Sequence, residues 1–286
     1  MKLKDVFCVI LAKEAGAEKG LAKAIDDKMI IDAHVNITHN GKWFNTSYDA
    51  SLERLLREMD EADVGKCLLI SMPFATTNKY IASVIERYPE RFRGFGHIDF
   101  SGNLRHEVDE ILSMGLSGVK IHPRMQGINC NATEFETLFK YLDEKGLTIM
   151  IDGYYQNRND RVYLSELTPF NYDRLAKKYT NINIILSHMG GHRVLDAYFL
   201  AKSNGNVSLD VSHVLKYFDG TSLISDFLWV IDKLDEKILY GSDFPEYPIK
   251  SYLSHFEGII SQRLGIRKEM IYRNAGIFWD KHLYEL

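Results

Sequence analysis

The sequence predicts an α/β protein built as a single (β/α)8 barrel. Eight short apolar segments of the kind that form buried strands recur along the 286 residues, and amphipathic helical patterns separate them. Strands that read as continuous apolar runs and alternate with helices indicate a parallel sheet covered by helices on its faces. Eight such units in a chain of this length fit one closed barrel.

The predicted strands share an apolar body, and most of them end in polar residues. They are MIIDAH (29–34), KCLLISM (66–72), FRGFGHI (92–98), SGVKIH (117–122), LTIMID (147–152), INIILSH (182–188), NVSLDVS (206–212) and KILYGSD (237–243).

Helical periodicity fills the intervals between these strands. After the first strand, Leu52, Leu55 and Met59 recur at the spacing of one helix face, and the stretch ATEFETLFKYLDEKG repeats the pattern after the fourth. Similar stretches precede the sixth and eighth strands, and IRKEMIYRNAGIFWDKHL reads as a final amphipathic helix. An open doubly wound sheet would need a glycine-rich phosphate loop after an early strand, whereas VNITHNGKWFN follows the first strand here.

We divide the chain into an N-terminal helical extension, residues 1–28, and the barrel, residues 29–286. The extension is expected to pack outside the barrel or to cover its lower end. Its apolar run VFCVILA is followed at once by Lys13 and Glu14 and lacks a clear cleavage site, so we interpret it as a surface helix rather than a signal peptide.

Composition narrows the range of partners. The formal charge of −4 and the isoelectric point near 6.2 give no electrostatic reason to expect nucleic acid or an anionic membrane. No apolar stretch approaches the roughly 20 residues that span a bilayer. The three cysteines are far apart in the sequence, which argues against a disulfide framework and favours a reducing, cytoplasmic location.

The chemistry of such a barrel lies at the carboxyl ends of its strands. Polar residues collect at the predicted ends, and His34 and Asn36, two apart in a strand, point to the same side. Several such groups on one rim suggest a metal or acid–base centre. The set is His34, Asn36, Ser71, His97, Asp99, His122, Asp152, His188, Ser212 and Asp243.

Four of these segments carry a resemblance to a known family. IIDAHVNI, GVKIHPR, IILSHMGGHR and LYGSDFP, in that order, resemble the amidohydrolase superfamily, and most of all its amidohydrolase-2 branch. That branch includes relatives of aminocarboxymuconate semialdehyde decarboxylase, lactonases and other enzymes of small carboxylates. The resemblance extends from about residue 29 to residue 280, where RNAGIFW is similar to the branch's closing helix. It implies a divalent metal, usually zinc, and it is compatible with a homodimer.

In the family, the metal is held by two histidines of an HxH pair on the first strand, a histidine that ends the fifth and an aspartate on the eighth. His34 matches the first histidine. Asp243 matches the aspartate, which accepts a proton from the attacking water. His188 matches a histidine on the sixth strand that polarises the substrate or moves protons beside the metal.

Two positions depart from the family pattern, because Asn36 and Asp152 stand where the other two histidines should be. We therefore predict a ligand set of His34, Asp152 and Asp243, with help from Asn36 or His188. Such an oxygen-rich set shifts the preference from zinc towards Mn²⁺ or Mg²⁺, or the metal is lost altogether. Asp152 could instead pair with an arginine such as Arg158 or Arg193.

The substrate side of the site is predicted from the loops at the same mouth. His122, Arg124, Tyr154 and Arg193 are the expected substrate-binding residues, because an arginine there can bind a carboxylate through two hydrogen bonds. His97 and His213 are expected to be solvated or hydrogen-bonded residues of the rim without a chemical role.

Two functions remain open from the sequence. The first is a metal-dependent hydrolase that cleaves a C–O or C–N bond in a small carboxylate, with decarboxylation as a variant. The second is a barrel without metal that acts as a lyase, an isomerase or a ligand-binding module. A purely structural protein would not explain why polar residues collect at the strand ends.

Overall fold

The structure is a computed structural model, and it describes residues 29–130, 133–154, 163, 165, 167–263 and 268–283. The predicted extension, residues 1–28, lies outside the described residues, so its helical character and its boundary stay predictions. Within the described part of the chain, no helix combines the length and the apolar character needed to cross a bilayer.

Eight parallel strands follow one another around the sheet in chain order. Main-chain hydrogen bonds join the first strand to the segment of the last: Ala33 N donates to Tyr240 O (2.9 Å) and Asp243 N to His34 O (3.0 Å). The sheet therefore closes, and the predicted (β/α)8 barrel is confirmed. The strands are β1 (Ile30–Val35), β2 (Val64–Ile70), β3 (Phe92–His97), β4 (Gly118–Ile121), β5 (Thr148–Ile151), β6 (Asn183–Leu186), β7 (Val207–Asp210) and β8 (Ile238–Leu239).

Helices cover the outside of the barrel between the strands. The first begins at its N-cap Ser51, whose side chain accepts a hydrogen bond from Arg54 N (3.3 Å). The described helices are α1 (Leu52–Glu61), α2 (Asn78–Arg87), α3 (Leu104–Ser113), α4 (Pro123–Gln126), α5 (Thr133–Lys145), α6 (Asp173–Lys178), α7 (Val194–Ser203), α8 (Val214–Tyr217), α9 (Leu223–Lys233), α10 (Ile249–Arg263) and α11 (Lys268–His282). Short 3₁₀ segments lie at Pro169–Tyr172 and Asp235–Lys237. Between β6 and α7, Ser187–Arg193 forms a kinked turn in which residues 188–191 have positive φ.

Several strands end earlier than the sequence predicts. The predicted strands extend to His122, Asp152, His188 and Asp243, but pairing stops at Ile121, Ile151, Leu186 and Leu239. His188 (φ 57°) and Asp243 (φ 63°) adopt left-handed backbone conformations that an extended strand does not allow. These four polar residues therefore lie in the first turns after their strands, whereas His34 lies within β1.

Apolar packing separates the two ends of the barrel. The interior is filled by one apolar cluster to which Phe95, Met150 and Ile185 belong, and Trp279 of α11 packs into the same cluster. Lys66 and Arg93, on β2 and β3, hold their charged groups 5.2 and 5.4 Å from the Trp279 ring centroid. Helix α11 therefore covers the N-terminal end of the barrel, and the polar residues collect at the opposite end.

Candidate metal centre

Three side chains from distant parts of the chain meet at the carboxyl end of the barrel. His34 is the penultimate residue of β1, and His188 and Asp243 follow β6 and β8. Each offers a ligand atom, and these atoms all lie within 4.8 Å of one another. His34 Nε2 is 3.7 Å from Asp243 Oδ1, and the two imidazole centroids are 4.9 Å apart. The structure thus brings together the residues on which the sequence-based hypothesis depends.

A buried carboxylate on β7 organises this group. Asp210 Oδ2 lies 3.2 Å from His34 Nδ1, and Asp210 Oδ1 accepts hydrogen bonds from His188 N (3.1 Å) and Ser212 N (3.0 Å). Burial opposes its charge, but the neighbouring His34 holds the pKa of Asp210 well below its usual range. Asp210 was absent from the predicted site. The sequence does contain one indication of its role: Asp210 lies two residues before Ser212, so the two side chains point to the same face of the predicted strand.

The hydrogen bonds fix which nitrogen of each histidine faces the centre. Because Ser212 O can only accept, His188 Nδ1 (3.1 Å away) carries the proton and leaves the lone pair on Nε2. The ionised Asp210 fixes His34 in the same tautomer. Burial lowers the pKa of His188 to about 4, so this imidazole is neutral near pH 7. Both histidines therefore offer Nε2 as a ligand atom, with a hydrogen-bonded second shell behind it.

The remaining polar groups of this cluster also suit a cation. Burial opposes the charge of Asp243, but the surrounding histidines, His213 foremost, hold its pKa well below the usual range. Asn36 Nδ2 donates to Asp243 Oδ1 (3.2 Å) and to Phe244 O (3.2 Å). Asn36 Oδ1 is buried without a hydrogen-bond partner among the described residues. Two imidazole nitrogens, a carboxylate and an orphaned amide oxygen form a donor set that fits a divalent metal.

Asp152 lies in a neighbouring ion-pair group instead of this cluster. Its Oδ2 contacts His122 Nδ1 and lies 3.4 Å from Arg124 Nη2, and its Oδ1 accepts from Tyr154 N (2.6 Å). Burial opposes its charge, but Arg124 and His122 hold the pKa of Asp152 well below its usual range. The expected ligand is therefore engaged by an imidazole and a guanidinium, as in the ion-pair alternative. The arginine is Arg124 and not Arg193, and Arg158 lies outside the described residues.

The other predicted substrate-binding residues differ in whether they contact these two groups of side chains. Tyr154 lies between the two groups, with its ring 6.1 Å from that of His188 and 5.5 Å from the Arg124 guanidinium. His122 is buried against Asp152, and burial lowers its pKa to about 4. Arg193 differs from the expectation, because its Nη1 donates to Asp196 Oδ2 (2.9 Å) in the first turn of α7.

Lys120 is a further inward-facing charge at this end. Its side chain is fully buried, and Nζ donates to Ser187 Oγ (2.8 Å). Burial lowers the pKa of Lys120, while Asp152 and Asp210 oppose that shift.

His213 is closer to the centre than a rim residue would be. Its Nδ1 lies 3.4 Å from Asp243 Oδ2 and 3.5 Å from Glu246 Oε2, and its ring stacks on Tyr217 with centroids 4.9 Å apart. Burial disfavours its charge, but Asp243 and Glu246 raise the pKa of His213. Like His188 and Asp243, it has a left-handed backbone (φ 68°), a strained conformation often found at functional sites.

We expect Asp210→Asn to weaken metal binding by about 10- to 100-fold, because an amide cannot accept from both His34 and the main chain as a carboxylate does. The dissociation constant for Mn²⁺ in a competition titration with a chelator measures the effect. Asp226→Asn, on the outer helix α9, is the matched control and should leave this constant unchanged. An Asp210→Asn protein that binds Mn²⁺ like the wild type would contradict the positioning role.

We expect Gly153→Ala to lower the free energy of unfolding by about 1–3 kcal/mol. A Cβ at Gly153 would lie 2.3 Å from Ser187 O and 3.0 Å from Gly190 Cα, so two loops at the mouth would have to separate. Urea unfolding measures the change. At Gly205, a Cβ would have nothing within 4 Å, so Gly205→Ala is the control. Equal stabilities of the two variants would show that the loops separate without cost.

Comparison with known proteins places this architecture in a family. The family model described as amidohydrolase matches residues 31–259, which is most of the chain and includes all eight strands except the first residue of β1. The chain belongs to the amidohydrolase family. Its membership in the amidohydrolase-2 branch, and with it an enzymatic activity, agrees with the resemblance of the strand-end motifs. No curated protein is similar enough to this amidohydrolase to count as a match.

Solved structures share the fold at low sequence identity. An uncharacterised TIM-barrel protein from Bordetella bronchiseptica has a TM-score of 0.69 at 18% identity, over 87% of this amidohydrolase and 99% of that chain. A probable 2-pyrone-4,6-dicarboxylic acid hydrolase from Acinetobacter baumannii, with citric acid bound, scores 0.64 at 14% identity (88% and 99%). The 5-carboxyvanillate decarboxylase from Novosphingobium aromaticivorans, in complex with manganese and 4-hydroxy-3-methoxy-5-nitrobenzoic acid, scores 0.66 at 13% identity (90% and 97%).

Proposed function

We propose that this amidohydrolase is a metal-dependent hydrolase that cleaves a C–O or C–N bond in a small molecule bearing a carboxylate. One observation carries the proposal: His34, His188 and Asp243 converge, and the hydrogen bonds behind both histidines leave Nε2 as the ligand atom. Outer-sphere partners of this kind are what protein metal sites use to orient their ligands.

The cation would be held by His34, His188 and Asp243, with the amide oxygen of Asn36 as an additional ligand. Bound there, it would supply Lewis acidity, which lowers the pKa of water and polarises a substrate carbonyl. Because the cluster contains His188 and not Asp152, the ligand set is less rich in oxygen than the sequence suggests. Zinc and manganese both suit two imidazoles and a carboxylate, and we propose zinc as the resident metal.

Side chains of the protein would transfer the proton and bind the substrate. Asp243 is ionised near pH 7 and can accept a proton from water, and His213 beside its Oδ2 can stabilise that charge. The tautomer of His188 places a lone pair on Nε2, so this histidine acts as a ligand or a base and not as a hydrogen-bond donor to the substrate. Arg124, part-buried beside Tyr154, provides a cation at the mouth for a substrate carboxylate.

A substrate panel with metal control tests the proposal. We would assay 2-pyrone-4,6-dicarboxylate, 5-carboxyvanillate and 2,6-dihydroxybenzoate, for which hydrolases or decarboxylases of similar structure are named, together with simple aryl lactones. We expect turnover of a lactone or of the pyrone, its loss after dialysis against EDTA, and its return with Zn²⁺ or Mn²⁺.

The readouts separate the candidate reactions. Ring opening without CO2 supports hydrolysis, whereas CO2 release from an aromatic acid would replace it with decarboxylation. Full turnover after EDTA treatment, with no metal by elemental analysis, would contradict the proposal and favour the metal-free barrel.

A further inference from the structure

A second group of ligand-type side chains lies directly beside the first. His213, Asp243 and Glu246 each offer a ligand atom, and these atoms lie within 4.8 Å of one another. The group comes from the turns that follow β7 and β8. Its only member in common with the first cluster is Asp243.

His213 carries the main sign that this group binds something. The residue is 6% exposed, and neither ring nitrogen has a hydrogen bond of normal geometry within the described part of the chain. Its Nδ1 nevertheless faces two carboxylate oxygens, Asp243 Oδ2 at 3.4 Å and Glu246 Oε2 at 3.5 Å. A buried polar side chain without hydrogen bonds is costly unless a ligand satisfies it.

The carboxylate of Asp243 has one oxygen for each cluster. Oδ1 faces His34 Nε2 at 3.7 Å, and Oδ2 faces His213 Nδ1 at 3.4 Å. A carboxylate that bridges two divalent cations uses its oxygens in this way, and such cations lie about 3.5–4 Å apart in two-metal sites. The arrangement at Asp243 therefore has the geometry of a shared ligand.

The charge around the two clusters also favours more than one cation. Among the described residues, the carboxylates of Asp152, Asp210, Asp243 and Glu246 each lie close to a histidine side chain at this end of the barrel. In the described part of the chain, the positive groups beside them include the buried Lys120 and the part-buried Arg124, which is already paired with Asp152. With a single divalent cation in the first cluster, the Glu246 carboxylate would lie near that of Asp243 without a cation of its own.

We propose that His213, Asp243 and Glu246 bind a second divalent cation, so that the site is a two-metal centre bridged by Asp243. The inference rests on the proposed function for the first cation. The second cation would lie on the side lined by Tyr154, Tyr217 and Tyr247, whose rings all contact that of His213. From that position the second cation could bind a carboxylate or the leaving oxygen of the substrate, while the first cation would bind the attacking water.

Metal stoichiometry tests the second site without reference to turnover. We would load metal-free protein with Mn²⁺, count bound ions per chain by elemental analysis after gel filtration, and record the EPR spectrum. We expect two ions per wild-type chain and a spectrum broadened by coupling between neighbouring ions. Glu246→Gln and His213→Phe should each keep one ion and lose the coupling, with at least a hundredfold weaker binding of the second equivalent. His213→Phe preserves an aromatic ring against Tyr217, so its effect reports the lost nitrogen.

The remaining variants distinguish this inference from the proposed function. His34→Ala should remove the first ion, Asp243→Asn should remove both, and Glu236→Gln, on the opposite end of the barrel, should keep both. One ion in the wild type, lost in His34→Ala and unaffected by Glu246→Gln, would overturn the second site and leave the proposed function intact. Two ions in Glu246→Gln would also overturn it, and no bound ion in the wild type would overturn both proposals.

Discussion

Asp243→Asn is expected to remove the bound divalent metal and to lower kcat/KM by at least about a thousandfold. Asp243 is the contact point of His34, Asn36 and His213, and it supplies both the anionic ligand and the proton acceptor. Asparagine has almost the same shape but no charge, and the main-chain bond from residue 243 to His34 O is unaffected. The Asp243→Asn protein should therefore still fold, but it should bind no metal and turn over little substrate.

Elemental analysis, steady-state kinetics and thermal unfolding by circular dichroism measure the three parts of this expectation. Asp219→Asn is the matched control, because that carboxylate is 59% exposed and its contact with His255 is long, at 3.9 Å. A metal-replete Asp243→Asn protein with undiminished kcat/KM would contradict the role assigned to this residue.

Trp279→Ala is expected to lower the free energy of unfolding by about 3–5 kcal/mol. The side chain is 4% exposed, closes the apolar interior of the barrel and lies against the charged groups of Lys66 and Arg93. Its removal would leave a cavity between α11 and the strands and would bring those two cations next to apolar surface. Urea unfolding at a fixed metal concentration measures the loss.

Trp229→Ala is the control for this substitution, since Trp229 lies on the outer surface of α9 and is 42% exposed. Its main aromatic neighbour is Tyr198, at 4.7 Å between centroids, so we expect a loss below about 1 kcal/mol. Similar losses for the two tryptophans would show that α11 does not close the barrel in the way we describe.

The barrel was predictable because its signal is repeated and local. Each strand is a short apolar run, each helix has one apolar face, and both patterns can be recognised within about ten residues of sequence. The parallel order of the strands then follows from the alternation alone. The polar groups His34, His188 and Asp243 interrupt this pattern at the strand ends, which is why they could be identified as site residues before any coordinates were considered.

The side chains that contact those residues were harder to predict from the sequence. Asp210 is the last residue of β7, and only the packing of β1, β6 and β7 around a common centre reveals that it contacts both His34 and His188. Asp152 occupies a family ligand position, yet it contacts His122 and Arg124, a choice that depends on how the loops after β4 and β5 fold.

The sequence by itself determined the fold class, the end of the barrel that carries the chemistry and three of its polar groups, because periodicity and strand ends are properties of neighbouring residues. Only the tertiary structure decided which nitrogen of each histidine faces the centre, where Asp152 is engaged, and that His213 and Glu246 join Asp243. These outcomes depend on contacts between segments that belong to different strand–helix units and on left-handed turns at residues 188, 213 and 243. No pattern in the surrounding residues specifies such contacts, because they are fixed by closure of the sheet as a whole.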